Sequence, residues 1–463
     1  MGRKLAFLLL LLGFGGSVET AWSVRNNLGI GPEGCRVIGG KFYGPSYSFD
    51  VEESRPLAEA TPVAISNEFG AVRVGAGTGG QLRVRLQKRV YRPTREQAEE
   101  FARRIEIVFE EGSGRLRVGT NRDRLQREAR NVGFETDLEV ELPPGTRVDL
   151  DNRHGDVDVR DVGEAAIDSS FGDLIVERVT GNLGAKHRHG DVSVAEIGGD
   201  LELESRHGDV HVRGVAGAAR VDGEHGDVQV DGSRGLRVKL AHGDLEAKNV
   251  GGDLEVEAAH ARVEAENVTG AARVTTSFNE IKVTGVGGDA ELRSEHGHVT
   301  AREVKGAVTV EARFDGVTLE NIGGPAEVRV EHGGVEATNL DRGLKVTAEG
   351  DAVRLDRVRG PVEVSAQRGE VSVNPGEPIT EPVTIQATHG AIHLEVPPDS
   401  RFELDAGARH GDLIVDLPGA PEVQHEAGTN TLTTKVGGGG ARVYLRTEGG
   451  ELTVIGGAPR ASN

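Results

Sequence analysis

The sequence predicts an all-β fold: a single-chain parallel β-solenoid (β-helix) of about 18-residue coils with a small N-terminal α+β capping region. Three observations predict it. A short unit, RHGDVSV at Arg188–Val194, returns as His154-Gly-Asp-Val, His207-Gly-Asp-Val, His225-Gly-Asp-Val, His242-Gly-Asp-Leu and His410-Gly-Asp-Leu. A glycine turn recurs half a unit later, from Gly163, Gly181, Gly199 and Gly217 on to Gly360. The composition holds 67 glycines and only 4% aromatics, which suits many tight turns around a thin interior of Val, Ile, Leu and Ala. This repetition overrides the expectation that 463 residues make two or three globular domains. A rival array of antiparallel hairpins gives no reason for one residue type to recur at one turn.

Residues 1–23 read as an export signal, with Arg3 and Lys4, the apolar run Leu5–Leu12, and small residues around Ser17 and Ser23. The run is too short to span a bilayer, so no transmembrane segment is expected in the mature chain. Cys35 is the only cysteine, which excludes an intrachain disulfide. Residues 24–61 look like a loosely ordered lead-in.

Residues 62–147 form the expected cap. Phe69-Gly-Ala-Val-Arg-Val is a diverged copy of the repeat, and Leu82–Leu86 alternates as a strand does. Thr94 opens a helix, with Gln97 three residues on as a capping box and Pro93 just ahead. Strands follow at Ile105–Phe109 and Arg115–Val118, then a charged loop holding Arg122 and Glu128, then the strand Phe134–Leu142 closed by Pro143-Pro144-Gly145. Such a block can seal the open edge that a solenoid otherwise exposes.

The regular repeat covers 148–374. Its first position falls at His154, Phe171, His189, His207, His225, His242, His260, Phe278, His296, Phe314, His332, Gly350 and Arg368, a step of about 18 residues that lengthens to about 21 at His389 and His410. Strands alternate, as in Val210 and Val212 and then Ala219 and Val221, so each unit is strand, turn, strand, turn. Asn249, Asn267, Asn321 and Asn339 precede the second turn, where their side chains can bond nearby backbone. The spacing leaves the cross-section open, flat or triangular. Residues 375–455 are diverged coils in which prolines keep to turns and edges, and 456–463 are a disordered tail.

The signal segment, the Phe69 strand, the helix at Arg95–Arg104, the Pro143–Gly145 turn and the tandem HGDV-type coils together resemble the bacterial envelope proteins grouped as adhesin-like or β-strand-repeat proteins of unknown function (the DUF4097 group). The resemblance covers about 62–455 and implies the fold, but it supplies no catalytic residue. The coil length is also similar to that of bactofilins, polymer-forming β-helices of the cell interior, from which the export signal departs.

For chemistry, the candidate column is His189, His207, His225, His242 and His260, four of them followed two residues on by Asp191, Asp209, Asp227 and Asp244. Imidazole and carboxylate at the coil spacing suit a divalent ion held between coils, or a stripe titrating together near about pH 6. The structural reading competes with both: Gly permits the turn, Asp caps it, and His stacks on its own copies. Phe171, Phe278 and Phe314 share the column, and Phe can stack but cannot ligate. No metal or cofactor is therefore assigned.

Acidic residues are spread along outward faces rather than gathered on an inserted loop, so no catalytic residue is expected. A formal net charge of −20 speaks against nucleic acid as a partner. The expectation is an exported, non-catalytic binding or structural surface, periplasmic, cell-surface or secreted, meeting an envelope or extracellular protein or glycan. The alternatives are a scaffold assembling end to end and a metal- or pH-responsive ladder protein.

Overall fold

Each coil contributes two strands because its sequence alternates twice. In Leu201–His207, Leu201, Leu203 and Ser205 are buried while Glu202, Glu204 and Arg206 face solvent. The second strand is less regular. In Leu245–Val250 the buried residues are Leu245, Ala247 and Val250, so two outward residues, Lys248 and Asn249, stand in succession. Asn249 is left-handed, with φ 55°. That one residue acts as a bulge, swinging the chain so that Val250 still points inward.

The computed structural model describes residues 36–38, 41–43 and 45–456, except 59, 113, 130, 131 and 427. The expected signal segment, Cys35 and nearly all of the expected tail lie outside the described residues. Between Arg147 and Val396 the chain winds through about fourteen turns. First strands stack in register on first strands, as Leu183 on Leu201 and His189 on His207, and second strands on second strands, as Val192 on Val210. First strands and second strands thus form two stacked parallel ladders around a thin aliphatic core. Each buried Val, Leu or Ile contributes about 1.5–3 kcal/mol, repeated coil after coil.

At the ends, spatial order departs from chain order. The coil Val63–Asn67 and Val72–Ala76 is flanked on one side by Arg147–His154 and Val157–Val162. On its other side lie Arg115–Thr120 and Gly133–Leu142. Gln81–Tyr91 then crosses antiparallel to Gly133–Leu142, with Ser46–Pro56 antiparallel outside it. That outer strand lies within the stretch read as a loosely ordered lead-in. Its Tyr47, Phe49 and Val51 pack against the core at alternate positions, while the charge of Asp50, Glu52, Glu53 and Arg55 masks the pattern in the sequence.

The C-terminal end repeats this plan. Ala441–Thr447 lies between Val383–His389 and Phe402–Arg409, and Leu452–Gly456 between Ile392–Val396 and Leu413–Asp416. Thr429–Val436 crosses antiparallel over Phe402–Arg409. Among the described residues only two helices occur, Arg95–Ala102 and Arg122–Glu128. The first starts at Thr94, whose side chain accepts a hydrogen bond from the Gln97 amide, 3.4 Å. The second replaces the expected charged loop. Asn121 makes no side-chain capping bond to it, so the usual start signal is missing.

Candidate functional site

The histidine column sits where the first strand of each coil meets its turn. At Gly208 the chain takes φ 122°, and a Cβ there would lie 2.0 Å from the Gly190 carbonyl oxygen of the coil before. Glycine takes this close approach without strain and fills the position in most coils, while Ala261, Asn279 and Asp315 hold the same register in three others. The tight stacking carries the preceding rings into contact. From Phe69 through His154, Phe171 and the five histidines to Phe278, His296, Phe314 and His332 the rings form one stack, with centroids 4.3–5.4 Å apart.

His189, His207, His225, His242 and His260 are thus brought together, with neighbouring planes tilted by 3–22°. An imidazole lone pair lies in the ring plane, so rings stacked face to face aim their nitrogens side by side rather than at a common point. An ion shared between coils needs nitrogens about 2.0–2.1 Å away and would require the rings to turn. Among the described residues no group of three or more His, Cys, Asp or Glu converges as a metal site would.

The aspartates two residues on do a different job. The Asp191 carboxylate accepts from the Asp209 amide at 3.0 Å, Asp209 from the Asp227 amide at 2.9 Å, and Asp227 from the Asp244 amide at 2.9 Å. Each caps the turn of the next coil rather than its own. At the start of the stack the Arg122 guanidinium lies 4.5 Å from the Phe69 ring centroid and 4.2 Å from that of Phe134, and donates to the Phe134 carbonyl at 2.8 Å. Arg122 is 4% exposed, and nothing in its charged neighbourhood signals this burial.

Beneath the ring stack runs an interior polar column of Asn67, Asn152, Ser169, His187 and Ser205, all buried. His187 is 1% exposed, and burial pushes its imidazolium below the ordinary range, opposed by the backbone at Gly190 and by the Asp173 carboxylate. His154 is lowered as well, by burial first and then by the nearby Arg153 charge. His187 lies outside the recurring motif, and its in-register match to Ser169 and Ser205 is the signal that it points inward.

The opposite edge carries the left-handed bulge column, occupied by Asp161, Arg178, Glu196, Gly214, Gly232, Asn249, Asn267, Gly285, Glu303, Asn321, Asn339 and Arg357. Its asparagines bond one another more than nearby backbone. Asn267 Nδ2 donates to Asn249 Oδ1 at 3.3 Å, Asn339 Nδ2 to Asn321 Oδ1 at 2.9 Å, and Arg357 Nε to Asn339 Oδ1 at 2.5 Å. A groove of about 990 Å³ follows this column from Asn267 to Gly376.

The outward face of the first sheet bears rows of opposite charge between coils, such as Lys186–Glu204, Arg273–Glu291 and Arg293–Glu311. These pairs lie at the surface, where solvent screening leaves them little net stabilisation. They neutralise the face without creating a convergent cluster. No helix among the described residues is long and apolar enough to cross a membrane.

A family model described as Toastrack DUF4097 matches residues 63–311 and, overlapping, 233–455. No curated protein matches the chain. Among solved structures it is similar to a candidate cell adhesion protein from Clostridium sporogenes, at 9% identity and TM-score 0.17, over 88% of this chain and 100% of that one. It is similar also to a candidate adhesin from Parabacteroides merdae, at 8% identity and TM-score 0.23, over 60% and 95%. At those scores neither likeness bears on fold or function here.

Proposed function

The chain belongs to the Toastrack DUF4097 family, and from that premise we propose an exported, non-catalytic solenoid that offers a long repetitive surface for binding in the bacterial envelope. One observation carries the reading: charge on the outer faces is held in rows of ion pairs between coils, so the surface is a lattice with no focus of acid and base groups. The export signal in the sequence supports the compartment, and the lone Cys35 fits a fold stabilised by packing. Antiparallel strands laid on Gly133–Leu142 at one end and on Phe402–Arg409 at the other favour a discrete rod over an end-to-end polymer, because they occupy edges that a second copy would otherwise extend.

The test is to fractionate cells producing the mature protein and to incubate the purified rod with isolated envelope material. Saturable retention by envelope material, with a monomeric rod in light scattering, is the expected result. A cytoplasmic protein, filaments in negative stain, or the absence of saturable retention would overturn it.

A further inference from the structure

The groove on the bulge edge leaves several hydrogen-bonding groups unused along one apolar floor. Toward both ends of the groove the ladder closes on itself. Asn267 bonds Asn249, Asn339 bonds Asn321, and Arg357 bonds Asn339. On the facing turn column Arg359 spans Asp341 at 3.0 Å and Glu377 at 2.5 Å. Between these stretches the column is interrupted at Gly285, which has no side chain to continue it. Asn267 Oδ1 then meets no donor from the next coil, and Asn321 Nδ2 has no acceptor behind it among the described hydrogen bonds. Glu303 and Lys305, both exposed, form no described ion pair. Buried Val268, Val286 and Val304 floor the notch.

We infer that this notch, centred on Gly285, is a binding site for a linear, uncharged, hydroxyl-rich polymer: a neutral glycan strand lying along the rod axis. An amide oxygen, an amide nitrogen, a carboxylate and an ammonium offer acceptors and donors on both walls, which suits hydroxyls that both give and take hydrogen bonds. The charged side chains of the groove balance: Lys305, Arg357 and Arg359 oppose Glu303, Asp341 and Glu377. A polyanion or polycation would find no complementary field, whereas a neutral chain pays no charge desolvation. The groove runs over the coils from Asn267 to Arg357, about 24 Å at the spacing of stacked strands, so it fits an extended polymer better than a compact small molecule. Gly214 and Gly232 interrupt the same column elsewhere, but there the flanking strands run through unbroken as Val210–His225 and Val228–His242, and the groove does not extend to them.

The inference rests on the binding reading above and narrows its ligand. The test uses Gly285→Asn. Asparagine tolerates the left-handed backbone that Gly285 holds at φ 73°, and a Cβ there meets Asn267 Oδ1 at 3.3 Å, so the substitution continues the amide ladder while filling the notch. Gly214→Asn, in the same column away from the groove, is the control. Full-length mature protein is titrated calorimetrically with cellohexaose, chitohexaose and, as a polyanion, heparin. Binding of at least one neutral hexaose, weakened tenfold or more by Gly285→Asn and unchanged by Gly214→Asn, with both variants melting like the parent, is the expected result. Binding of heparin alone, equal binding by Gly285→Asn, or no binding of either neutral hexaose would overturn it. A rod that still adheres to envelope material in those cases loses this site but keeps its proposed function; one that adheres to nothing loses both.

Discussion

The two edges of the rod solve the same problem, reversing the chain once per coil, in opposite ways. On the ring-stack edge the turns touch: a Cβ at Gly190, Gly208, Gly226 or Gly243 would lie 2.0–2.2 Å from a carbonyl oxygen of the preceding coil. On the bulge edge the left-handed position accepts Asp161, Arg178, Glu196, asparagines and glycines alike, and a Cβ at Gly214 finds its nearest neighbour at 3.8 Å. Close contact restricts residue type, so the first edge keeps an aromatic ring at every coil of the stack and glycine after it in most, with Ala261, Asn279 and Asp315 as the departures. The second edge only needs a positive φ, so its side chains are free to differ, and it is there that an open groove forms.

The sharpest way to break this contrast is a matched pair of alanines. Gly208→Ala should cost roughly 2–5 kcal/mol in urea unfolding, since it combines a backbone suited only to glycine with a clash against backbone. Gly214→Ala should cost about 1 kcal/mol, the left-handed penalty partly offset by a less flexible unfolded chain. Equal costs would refute the difference between the edges.

Next in size is the ring stack. His207→Ala removes two stacked contacts and should lose roughly 1–3 kcal/mol, whereas His207→Phe should stay within about 0.5 kcal/mol, because Phe171, Phe278 and Phe314 already sit in the stack. A Phe variant as damaged as the Ala variant would mean that the imidazole nitrogens matter. Smaller again, Asp209→Ala should cost about 1 kcal/mol by orphaning the Asp227 amide, measured in the same way.

The last prediction concerns pH and is silent at neutrality. The folded pKa of His187 is depressed, so below the ordinary imidazole value of 6.5 the unfolded chain takes up a proton that the folded chain resists. Stability should therefore fall as pH drops from about 7 to 5, and His187→Leu should flatten that fall. The carboxylates nearest His187 are Asp173 and Asp191, with His189 adding repulsion once charged. A melting profile unchanged between parent and variant would remove His187 as the source.

Much of this was legible in the sequence because repetition turns a single turn into a column. His189 to His260 could be placed in one stack from spacing alone, and Phe278 in the same stack argued for contact between rings. The partners of Asp191 and Asn267 were not legible, since a side chain bonding the next coil looks the same in sequence as one bonding its own turn. Nor was the bulge, although the step of three from Ala247 to Val250 records it. The ends escaped altogether: Ser46–Pro56 carries its apolar face under heavy charge, and no periodicity reveals that Ala441–Thr447 pairs with residues on both sides of a gap.

That last arrangement has a consequence in time. A ribosome or an export channel delivers Phe402–Asp416 before Ala441–Gly456, yet in the finished rod the later segment stands between the earlier one and Val383–Val396. Growth by laying each new coil on the last must stop there. The end is completed by insertion, so closure waits for Ala441–Gly456, and a chain cut short before Ala441 would lack the piece that joins Phe402–Asp416 to the rest.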